Sequence, residues 1–380
     1  MTTNPVARAG AILEIDLGGI VANWLLLARA AAPALCAAVV KANAYGLGAA
    51  PVARALAAAG CRMFFVATLD EGIALRAALG NRAEIAVFNG PFPGTAGEFA
   101  EHGLIPVLNE PGQIGAWQSG NQRRRPAILH LDTGMARLGL DAREFTALAE
   151  NPLPIGWRLV MSHLACADRP DHPMNERQRA RFAAVAARLP GVAASLAASS
   201  GIFLGPQYHF DMVRPGAALY GVNPRPDRPN PLRPVVRLSG KIAQIRQIDR
   251  GESVGYGAAH VMEAPGRAAI VALGYADGWL RSLSHRGCGY LAGTRVPLLG
   301  RVSMDLVTFD VSAIPPELAR PGTMIELLGA DYGVDEAAAD AGTIGYEILT
   351  SLGSRYHRIY REPPEPGPPG LDPTSTNRLE

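Results

Sequence analysis

The stretch LCAAVVKANAYGLGAAPVARALAAAG, residues 35–60, contains one complete strand-and-helix unit. Its first six residues are an apolar run typical of a buried strand. Residues 48–60 have apolar positions three and four apart and end in glycine, as in an amphipathic helix. Lys41 stands between the two, directly after the strand. A lone lysine in such a place is usually a surface residue with its ammonium group in water, so its role depends on the rest of the chain.

The same alternation of strand and helix continues to about residue 233. Further apolar runs follow at intervals of roughly 20 to 30 residues, the rhythm of a (β/α)8 barrel, and helix-like segments such as MNERQRARFAAVAARLPG separate most of them. The pattern predicts an α/β fold, a (β/α)8 TIM-type barrel, with a doubly wound open sheet as the structural alternative. The predicted strands are LCAAVV, MFFVA, EIAVF, IPVL, AILHL, WRLVMSH, ASLAAS and HFDMVR.

The pattern changes after Pro234. Apolar runs such as VVRLSGKIAQIRQI and AAIVALGY are broken by glycine, proline and aspartate and show little helical periodicity, which predicts a mainly β domain. The proline-rich stretch NPRPDRPNPLRP, residues 223–234, is the expected linker. We therefore expect a barrel at residues 1–233, a mainly β domain at 234–361 and a disordered, proline-rich tail at 362–380.

The composition favours a small-molecule partner. The chain has 36 Lys and Arg residues against 34 Asp and Glu, and the formal charge of +2 gives no reason to expect nucleic acid. Its four cysteines form no CxxC pair, which argues against a disulfide framework or a thiolate metal site and fits a reducing cytoplasm. The sequence has no secretory h-region and no apolar run of about 18 residues, so neither secretion nor a membrane partner is expected.

Candidate catalytic side chains follow the predicted strands at their carboxyl ends, where barrel enzymes have their active sites. Lys41 ends the first strand, His163 the sixth and Arg214 the eighth. The pair Ser199–Ser200 ends the seventh strand, and the fifth leads into residues 132–137. Taken singly, the histidine and the arginine would more often be structural, but their shared placement favours one site.

Small residues after the last two strands indicate a phosphate site. Gly216 and Ala217 follow Arg214 closely, and a glycine follows Ser200, so backbone N–H groups can approach an anion. Together with a lysine at the first strand end, this favours a cofactor that carries both an aldehyde and a phosphate. Pyridoxal 5'-phosphate has this chemistry and would be held by Lys41 as a Schiff base.

Seven motifs resemble, in order along the chain, those of alanine racemases, which are pyridoxal-phosphate enzymes built from a barrel and a β domain. The resemblance extends from about Ile12 to Tyr360. It implies an isomerase that interconverts L- and D-alanine by a two-base mechanism through an external aldimine. The motifs are VVKANAYGLG, LDTGMARLGL, MSHLACAD, DMVRPGAALYG, SVGYGA, GYADGW and GRVSMD.

The resemblance also implies a role for each matching residue. Lys41 would carry the cofactor and act as the base on one face of the substrate, and Tyr256 would be the base on the opposite face. Arg214 would face the pyridine nitrogen, with His163 near the ring, and Arg137 would bind the substrate. The residues implied at the phosphate are Tyr45, Ser200, Gly216 and Ala217.

Alanine racemases are head-to-tail homodimers in which the second domain of one subunit completes the site of the other. Tyr256 and the further substrate-site residues Tyr275 and Met304 would therefore act across the dimer. A racemase of broader specificity and an amino-acid decarboxylase of the same fold group are the alternative enzymes. A non-catalytic pyridoxal-phosphate carrier fits less well, because such single-domain barrels lack the β domain.

Two positions depart from the family pattern. His130 stands where many alanine racemases have a carbamylated lysine, seven residues before the substrate-binding arginine. We expect Arg137 to be held instead by neutral His130, by a nearby carboxylate or by a bound anion such as chloride. Ser354 stands where many members have a phosphate-binding tyrosine, and Tyr356 follows two residues later, so we expect a rearranged phosphate contact.

Overall fold

The computed structural model describes residues 4–119, 125–150 and 155–362. Strands and helices alternate in the first two-thirds of this part, and strands dominate the rest. The strands are β1 Ala11–Asp16, β2 Leu35–Cys36, β3 Ala38–Val39, β4 Met63–Val66, β5 Glu84–Val87, β6 Ile105–Leu108, β7 Pro126–His130, β8 Gly156–Met161, β9 Ala194–Ser195, β10 Met212–Val213, β11 Val236–Ile248, β12 Ser253–Val254, β13 His260–Val261, β14 Gly266–Val271, β15 Cys288–Leu291, β16 Thr294–Pro297, β17 Val307–Asp310, β18 Met324–Leu328 and β19 His357–Arg361. The helices are α1 Pro5–Arg8, α2 Leu17–Ala31, α3 Lys41–Tyr45, α4 Ala49–Ala58, α5 Leu69–Leu79, α6 Ala96–Glu101, α7 Pro111–Ser119, α8 Ala142–Glu150, α9 Pro173–Ala186, α10 Val334–Ala341 and α11 Gly345–Ser351.

The parallel strands of the first part close into a barrel. Strands β3 to β9 form one parallel sheet in chain order. Strand β10 pairs in parallel with β2, which leads through Ala37 into β3 and so joins the last barrel strand to the first. A bridge between Ala198 and Arg214 links the chain beyond β9 to the chain beyond β10. This closure confirms the predicted barrel and excludes the doubly wound open sheet, whose first and last strands would not pair.

Burial explains why these strands form. All residues of β4 and of β6 are buried, because a barrel strand meets the packed interior on one face and the helices on the other. Helices α2 and α4 cover the barrel with one apolar face each, on which Leu27 and Leu56 are fully buried. Helix α5 begins with a capping box between Thr68 and Glu71.

The mainly β part is organised around one long sheet. Its strand order is β16–β15–β18–β11–β1–β19, and β14 and β17 extend from β11. The N-terminal strand β1 pairs antiparallel with β11 and parallel with β19. Residues 11–16 therefore lie in this sheet, although they precede the barrel in the sequence. Nothing in those six residues indicates the partner, and the division of the chain at residue 233 stays a prediction.

The described ranges lack two features, a membrane-spanning helix and a cluster of metal-ligating side chains. They contain no helix that is long and apolar enough to cross a membrane. They also contain no group of three or more His, Cys, Asp or Glu side chains that could hold a metal ion. Apart from Glu362, the predicted tail at 362–380 lies outside the described residues.

Candidate active site

Lys41 lies at the carboxyl end of the first barrel strand, where the short segment α3 winds in the left-handed direction and is not a right-handed helix. The following residues, 42–45, all have φ values of 52–54°. For residues with a side chain this conformation costs about 1–2 kcal/mol each. The carboxylate of Glu71 helps to hold the turn, because it accepts the Ala42 N–H over 2.6 Å. Backbone strain of this kind is typical of functional sites.

The ammonium group of Lys41 has a partly buried, electropositive environment. Its Nζ lies 5.8 Å from the ring centre of Phe88. Burial lowers the pKa of Lys41 from 10.5, the charge of Arg137 lowers it further, and the Glu71 carboxylate acts in the opposite direction. A lysine with a lowered pKa is more often neutral, the form that attacks an aldehyde or accepts a proton. This environment suits the predicted role of Lys41.

Arg214 carries a buried positive charge. It is 2% exposed, and its guanidinium donates to the Ser195 hydroxyl and, over 2.6 Å, to the Ser162 carbonyl. The Ser195 hydroxyl donates in turn to the Met212 carbonyl over 2.7 Å. Burial lowers the pKa of Arg214 to about 9. Within the described ranges no carboxylate pairs with this guanidinium, which is therefore suited to a neutral acceptor such as a ring nitrogen.

The loop after β10 presents backbone N–H groups at the same end of the barrel. The Ser199 hydroxyl accepts the Gly216 N–H over 3.0 Å and the Ala218 N–H over 3.1 Å, and so fixes the backbone on both sides of Ala217. The predicted Ser200 begins the 3-10 turn that follows β9. Sequence reasoning did not assign a role to Ser199, because a Ser–Ser pair marks a strand end without showing which hydroxyl faces the loop.

Tyr45 brings the loop of the first strand to this pocket. It is buried, and its hydroxyl occupies the space that a β-carbon at Gly216 would fill. Its ring centre lies 4.9 Å from that of Tyr220 and 6.0 Å from that of Tyr346. Burial raises the pKa of the Tyr45 hydroxyl well above its ordinary value, so this group is a neutral hydrogen-bond donor. A neutral donor beside the small residues of this loop suits a phosphate.

Arg137 is carried by a loop whose backbone is organised by Asp132. The Asp132 carboxylate accepts the N–H groups of residues 134–136 at 2.8–2.9 Å, and Ala136 adopts a φ of 56°. Arg137 itself is exposed and has no hydrogen bond or ion pair among residues that the structure describes. Its charge lowers the pKa of Lys41, which places the guanidinium at the site.

His163 belongs to the same group of side chains. Burial lowers its pKa to about 3, and the charges of Arg214, Arg137 and Lys41 act in the same direction. The buried amide of Gln178 holds the chain here by donating to the His163 carbonyl over 2.8 Å. The imidazole is therefore neutral, and the structure brings four predicted residues from four strand ends together.

His130 is buried at the end of β7 beside this group. Its Nδ1 lies 2.7 Å from the Asn109 Oδ1. Burial and the charges of Arg214 and Arg137 lower the pKa of His130 to about 3, so its ring is neutral at pH 7. Asn109 is a polar residue of the site region that no sequence motif indicated.

Three predicted residues lie apart from the barrel, at an exposed surface of the β domain. Tyr256, Tyr275 and Met304 are 73%, 41% and 54% exposed, and we call them the β-domain face. Backbone hydrogen bonds of 3.0 Å join residues 275–276 to residues 303–304. Within one chain, no hydrogen bond, ion pair or ring contact in the described part joins this face to the barrel site.

An ion-pair network holds the loops of the β-domain face. Arg355 donates to both carboxylate oxygens of Asp277 over 2.6 Å and to Asp305 over 2.7 Å. Asp277 is 5% exposed. Because Asp277 follows Tyr275 and Asp305 follows Met304, Arg355 fixes both loops. The sequence alone did not indicate this role of Arg355.

Ser354, the position near the C-terminus that departs from the family pattern, has no hydrogen bond to the predicted phosphate pocket. Ser354 is exposed, and the Tyr356 hydroxyl is buried without a partner among the described residues. Tyr346 of α11, by contrast, packs near Tyr45. Tyr346 is therefore a phenol beside the predicted phosphate pocket that the sequence did not indicate.

The residues at the barrel end fit pyridoxal phosphate. Lys41 offers an amine for the aldehyde, and Arg214 offers a buried donor for the ring nitrogen. Glycine at position 216 leaves room for the Tyr45 hydroxyl beside the N–H groups of the loop. The three parts of the cofactor thus have three chemically suited partners.

Family comparison agrees with the geometry. The model for the alanine racemase N-terminal domain matches residues 15–224, and that for the C-terminal domain matches residues 235–360. An alanine racemase of Rhodospirillum rubrum is 55% identical over 360 residues, which are 93% of this chain and 96% of the relative. An alanine racemase of Brucella abortus is 45% identical over 371 residues, which are 93% of this chain and 94% of the relative.

Solved structures show the same relationship. The structure of alanine racemase from Bartonella henselae with covalently bound pyridoxal phosphate has a TM-score of 0.89 and 43% identity, covering 93% of this chain and 100% of that one. The biosynthetic alanine racemase of Pseudomonas aeruginosa has a TM-score of 0.86 and 37% identity, with the same coverage of 93% and 100%. These matches confirm the family, the fold and the cofactor predicted from the motifs. The chain therefore belongs to the alanine racemase family, the pyridoxal-phosphate-dependent isomerases that interconvert L- and D-alanine.

Proposed function

We propose that this chain acts as a homodimeric alanine racemase in which Lys41 and Tyr256 are the two acid–base residues. The observation that carries the proposal is that the chain has two lysines, Lys41 and Lys241. Lys241 lies on β11 of the β domain, where its ammonium group donates to the Ala7 carbonyl over 2.8 Å. Lys41 is therefore the lysine available to hold the cofactor in the barrel.

Pyridoxal phosphate, when bound, supplies an aldehyde that captures the substrate amine and a conjugated ring that stabilises negative charge at Cα. We assign the phosphate to the Tyr45 hydroxyl and to the backbone of Gly216 and Ala217. The predicted contact of Ser200 stays part of the assignment, and Ser199 is added as the residue that orients the loop.

Arg214 is assigned to the ring nitrogen. A guanidinium does not give up its proton, so the ring nitrogen stays unprotonated and the ring withdraws electrons less strongly. This disfavours loss of the substrate amine by transamination. The neutral His163 lies near the ring and adds no charge, which leaves Arg214 as the group that decides the protonation of the nitrogen.

Racemisation requires a proton to leave Cα on one face and another to arrive on the opposite face, so two acid–base groups must flank the reacting carbon. Lys41 serves the face on the barrel side, where its lowered pKa favours the neutral amine. Tyr256 serves the other face with its phenol. Transfer in the reverse direction exchanges the roles of the two residues.

Arg137 is assigned to the substrate carboxylate. Its guanidinium has no partner among the described residues, so its planar N–H donors are free to bind two carboxylate oxygens. We place Tyr275 and Met304 around the substrate side chain, where their bulk favours a methyl group. This arrangement selects a small amino acid such as alanine.

A head-to-tail homodimer follows from the distribution of the two bases. The β domain leaves the side chains of Tyr256, Tyr275 and Met304 exposed, which suits a contact site. A second copy of the chain is the partner, because the barrel site needs a second base and the β domain carries Tyr256. We infer a cytoplasmic location from the four cysteines, which are all free.

The direct test is incubation of the purified, cofactor-loaded protein with each L-amino acid, followed by chiral analysis. We expect D-alanine to form from L-alanine and to approach an equal mixture. Similar rates with many amino acids would show a broader racemase. Release of carbon dioxide without any D-amino acid would show a decarboxylase and contradict the proposal.

A further inference from the structure

The amino end of the barrel contains a cavity whose charged residues are mostly arginines. Its volume is about 550 Å³. It lies at the opposite end of the barrel from Lys41, because most of its lining residues stand near the first residues of strands β4 to β8. We call it the amino-end cavity. The charged residues that line it are Arg62, Arg76, Arg82, Arg158 and Glu84.

Arg76 holds two loops of the cavity rim in place. Its Nε donates to the His102 carbonyl over 3.1 Å, and its Nη2 donates to the Gly103 carbonyl over 2.8 Å. Its Nη1 donates to the carbonyls of Gly80 and Ala83 over 2.7 and 2.9 Å. These contacts join the loop after α5 to the loop after α6. Because the four acceptors are uncharged, Arg76 fixes the rim and keeps its full positive charge there.

Glu84 is the one carboxylate among the described residues that line the cavity, and Arg158 pairs with it. The Arg158 Nε donates to the Glu84 Oε1 over 3.2 Å, and its Nη2 donates to the Oε2 over 2.9 Å. This bidentate pair engages both oxygens of the carboxylate. Four arginines and one glutamate leave the cavity with a net charge of +3.

Arg62 and Arg82 bring two further guanidinium groups to the cavity. Both residues are exposed, and neither side chain forms a hydrogen bond or an ion pair in the part of the chain that the structure describes. Their backbones are close, because the N–H of Glu84, two residues after Arg82, donates to the Arg62 carbonyl over 2.9 Å. Neighbouring cations repel each other, and a bound anion relieves that repulsion.

The shape and charge of the cavity favour an anion with more than one phosphate group. Ala83, Ile105 and Pro126 contribute apolar wall, and a concave surface with such walls and charge of one sign concentrates the electrostatic field. Guanidinium groups match phosphate oxygens with paired N–H donors. A phosphate monoester carries about −1.5 to −2 charge at pH 7, so two linked phosphates match the charge of the cavity better than one.

We propose that the amino-end cavity is a second anion site, in which Arg62 and Arg82 bind an anion with two linked phosphate groups. Inorganic pyrophosphate and nucleoside diphosphates share this chemistry. Arg76 keeps the rim in place and adds its charge, and Arg158 neutralises Glu84. The cavity is remote from the barrel end that carries Lys41, so this inference does not rest on the proposed racemase activity.

The first test is calorimetric titration of the pyridoxal-phosphate-loaded protein with inorganic pyrophosphate at low ionic strength. The bound cofactor keeps the probe out of the predicted phosphate pocket. We expect saturable binding of one pyrophosphate per chain, with an affinity that falls as sodium chloride is added. Inorganic phosphate should bind roughly tenfold more weakly, because it makes fewer charged hydrogen bonds. Absence of saturable binding, or equal affinities for phosphate and pyrophosphate, would overturn the proposal.

Adenosine diphosphate distinguishes the two sources of linked phosphates. A Kd equal to that of pyrophosphate would show that the phosphates alone are recognised, as the two guanidinium groups predict. A lower Kd would show that the nucleoside adds contacts at the same site, provided that Arg62→Gln weakens both ligands. Adenosine diphosphate that binds with full affinity to Arg62→Gln would lie elsewhere and count against the site.

The second test locates the site with variants. Arg62→Gln and Arg82→Gln should each raise the Kd for pyrophosphate roughly tenfold, the effect of losing one hydrogen bond to a charged group. Glu84→Gln should lower the Kd about two- to fivefold, because it removes the negative charge from the cavity. A misfolded protein does not gain affinity, so the last variant separates a loss of charge from a loss of structure.

The matched control is Arg54→Gln, which removes an exposed arginine of α4 outside the cavity. Arg54→Gln should leave the Kd unchanged, and so should Arg137→Gln at the other end of the barrel. Loss of binding in Arg137→Gln would place the probe in the active site and overturn the proposal. Unchanged affinities in both Arg62→Gln and Arg82→Gln would also overturn it. Because binding is measured without turnover, a failure of the proposed function appears separately, in the assay with amino acids.

Discussion

The hydroxyl group of Tyr45 lies against Gly216, in the space where a β-carbon would stand. Tyr45 belongs to the loop after the first barrel strand and Gly216 to the loop after the last. These strands are neighbours because β10 pairs with β2. Closure of the barrel therefore brings the two halves of the proposed phosphate pocket into contact.

The first prediction is that Gly216→Ala weakens cofactor binding without unfolding the protein. The added methyl group displaces the Tyr45 hydroxyl, and overpacking of this kind costs about 1–3 kcal/mol, or roughly 5- to 150-fold in Kd. Titration of the apoprotein with pyridoxal phosphate measures this change in Kd. Gly97→Ala is the control, because a β-carbon there meets nothing within 4 Å. Equal affinities in both variants would refute the pocket assignment.

The second prediction concerns the cofactor lysine. The purified protein should absorb as a yellow adduct that borohydride reduces, and peptide mapping should find the reduced group on Lys41. Lys241→Arg should retain the adduct, since that ammonium group donates to carbonyl oxygens of the N-terminal segment. Detection of the adduct on Lys241 would rule out the assignment.

The third prediction is that Tyr256→Phe retains the cofactor but loses roughly two or more orders of magnitude in turnover, because one general acid–base group is removed. Tyr290→Phe, in β15 of the same domain, is the control. Mixing inactive Lys41→Ala and Tyr256→Phe protomers should restore activity through sites that contain one intact residue from each chain. Subunit exchange without recovery would contradict the shared site.

The fourth prediction is a loss of stability below neutral pH. Burial, together with the charges of Arg214 and Arg137, lowers the pKa values of His130 and His163 to about 3 from 6.5. Below pH 6.5 the unfolded chain binds protons that the folded chain does not, so the free energy of unfolding falls by up to about 1.4 kcal/mol per pH unit for each histidine. Urea denaturation of the apoprotein between pH 7 and 5 measures the slope. His130→Gln and His163→Gln should each reduce the slope of the free energy of unfolding against pH. A slope that one of these variants leaves unaltered would show that the histidine it removes is protonated in the folded protein.

The fifth prediction is that activity does not depend on bicarbonate. An imidazole cannot form the carbamate that a lysine forms, so His130 gives bicarbonate no site of action near Arg137. Assays in carbonate-free buffer with and without added bicarbonate should give the same kcat/KM. A clear gain on addition would mean that another group near Arg137 is modified.

Local patterns in the sequence predicted the barrel and much of the site. Strands such as MFFV are apolar at every position because both of their faces are covered, and this continuous burial is visible without the fold. The carboxyl ends of parallel strands meet at one end of a barrel. Lys41, His163 and Arg214, each at a strand end, could therefore be assigned to one place before their distances were known.

Other features depended on partners far away in the chain. Strand β1 shows no sign in its own residues that it pairs with β11 and β19. Whether Ser199 or Ser200 contacts the loop of Gly216 depends on the direction in which each side chain points. The left-handed turn at residues 42–45 consists of ordinary residue types whose conformation is held by contacts, including one with Glu71.

The sequence by itself determined which chemical groups this protein has and at which strand ends they stand, because burial and spacing are properties of neighbouring residues. The tertiary structure decided what those groups are as chemical species. The neutral ring of His130, its hydrogen bond to Asn109 and the charge of Arg214, which pairs with no carboxylate among the described residues, all follow from burial and from partners on other strands. Hydrogen-bond direction and desolvation arise only when distant segments pack together, so no stretch of sequence contains them.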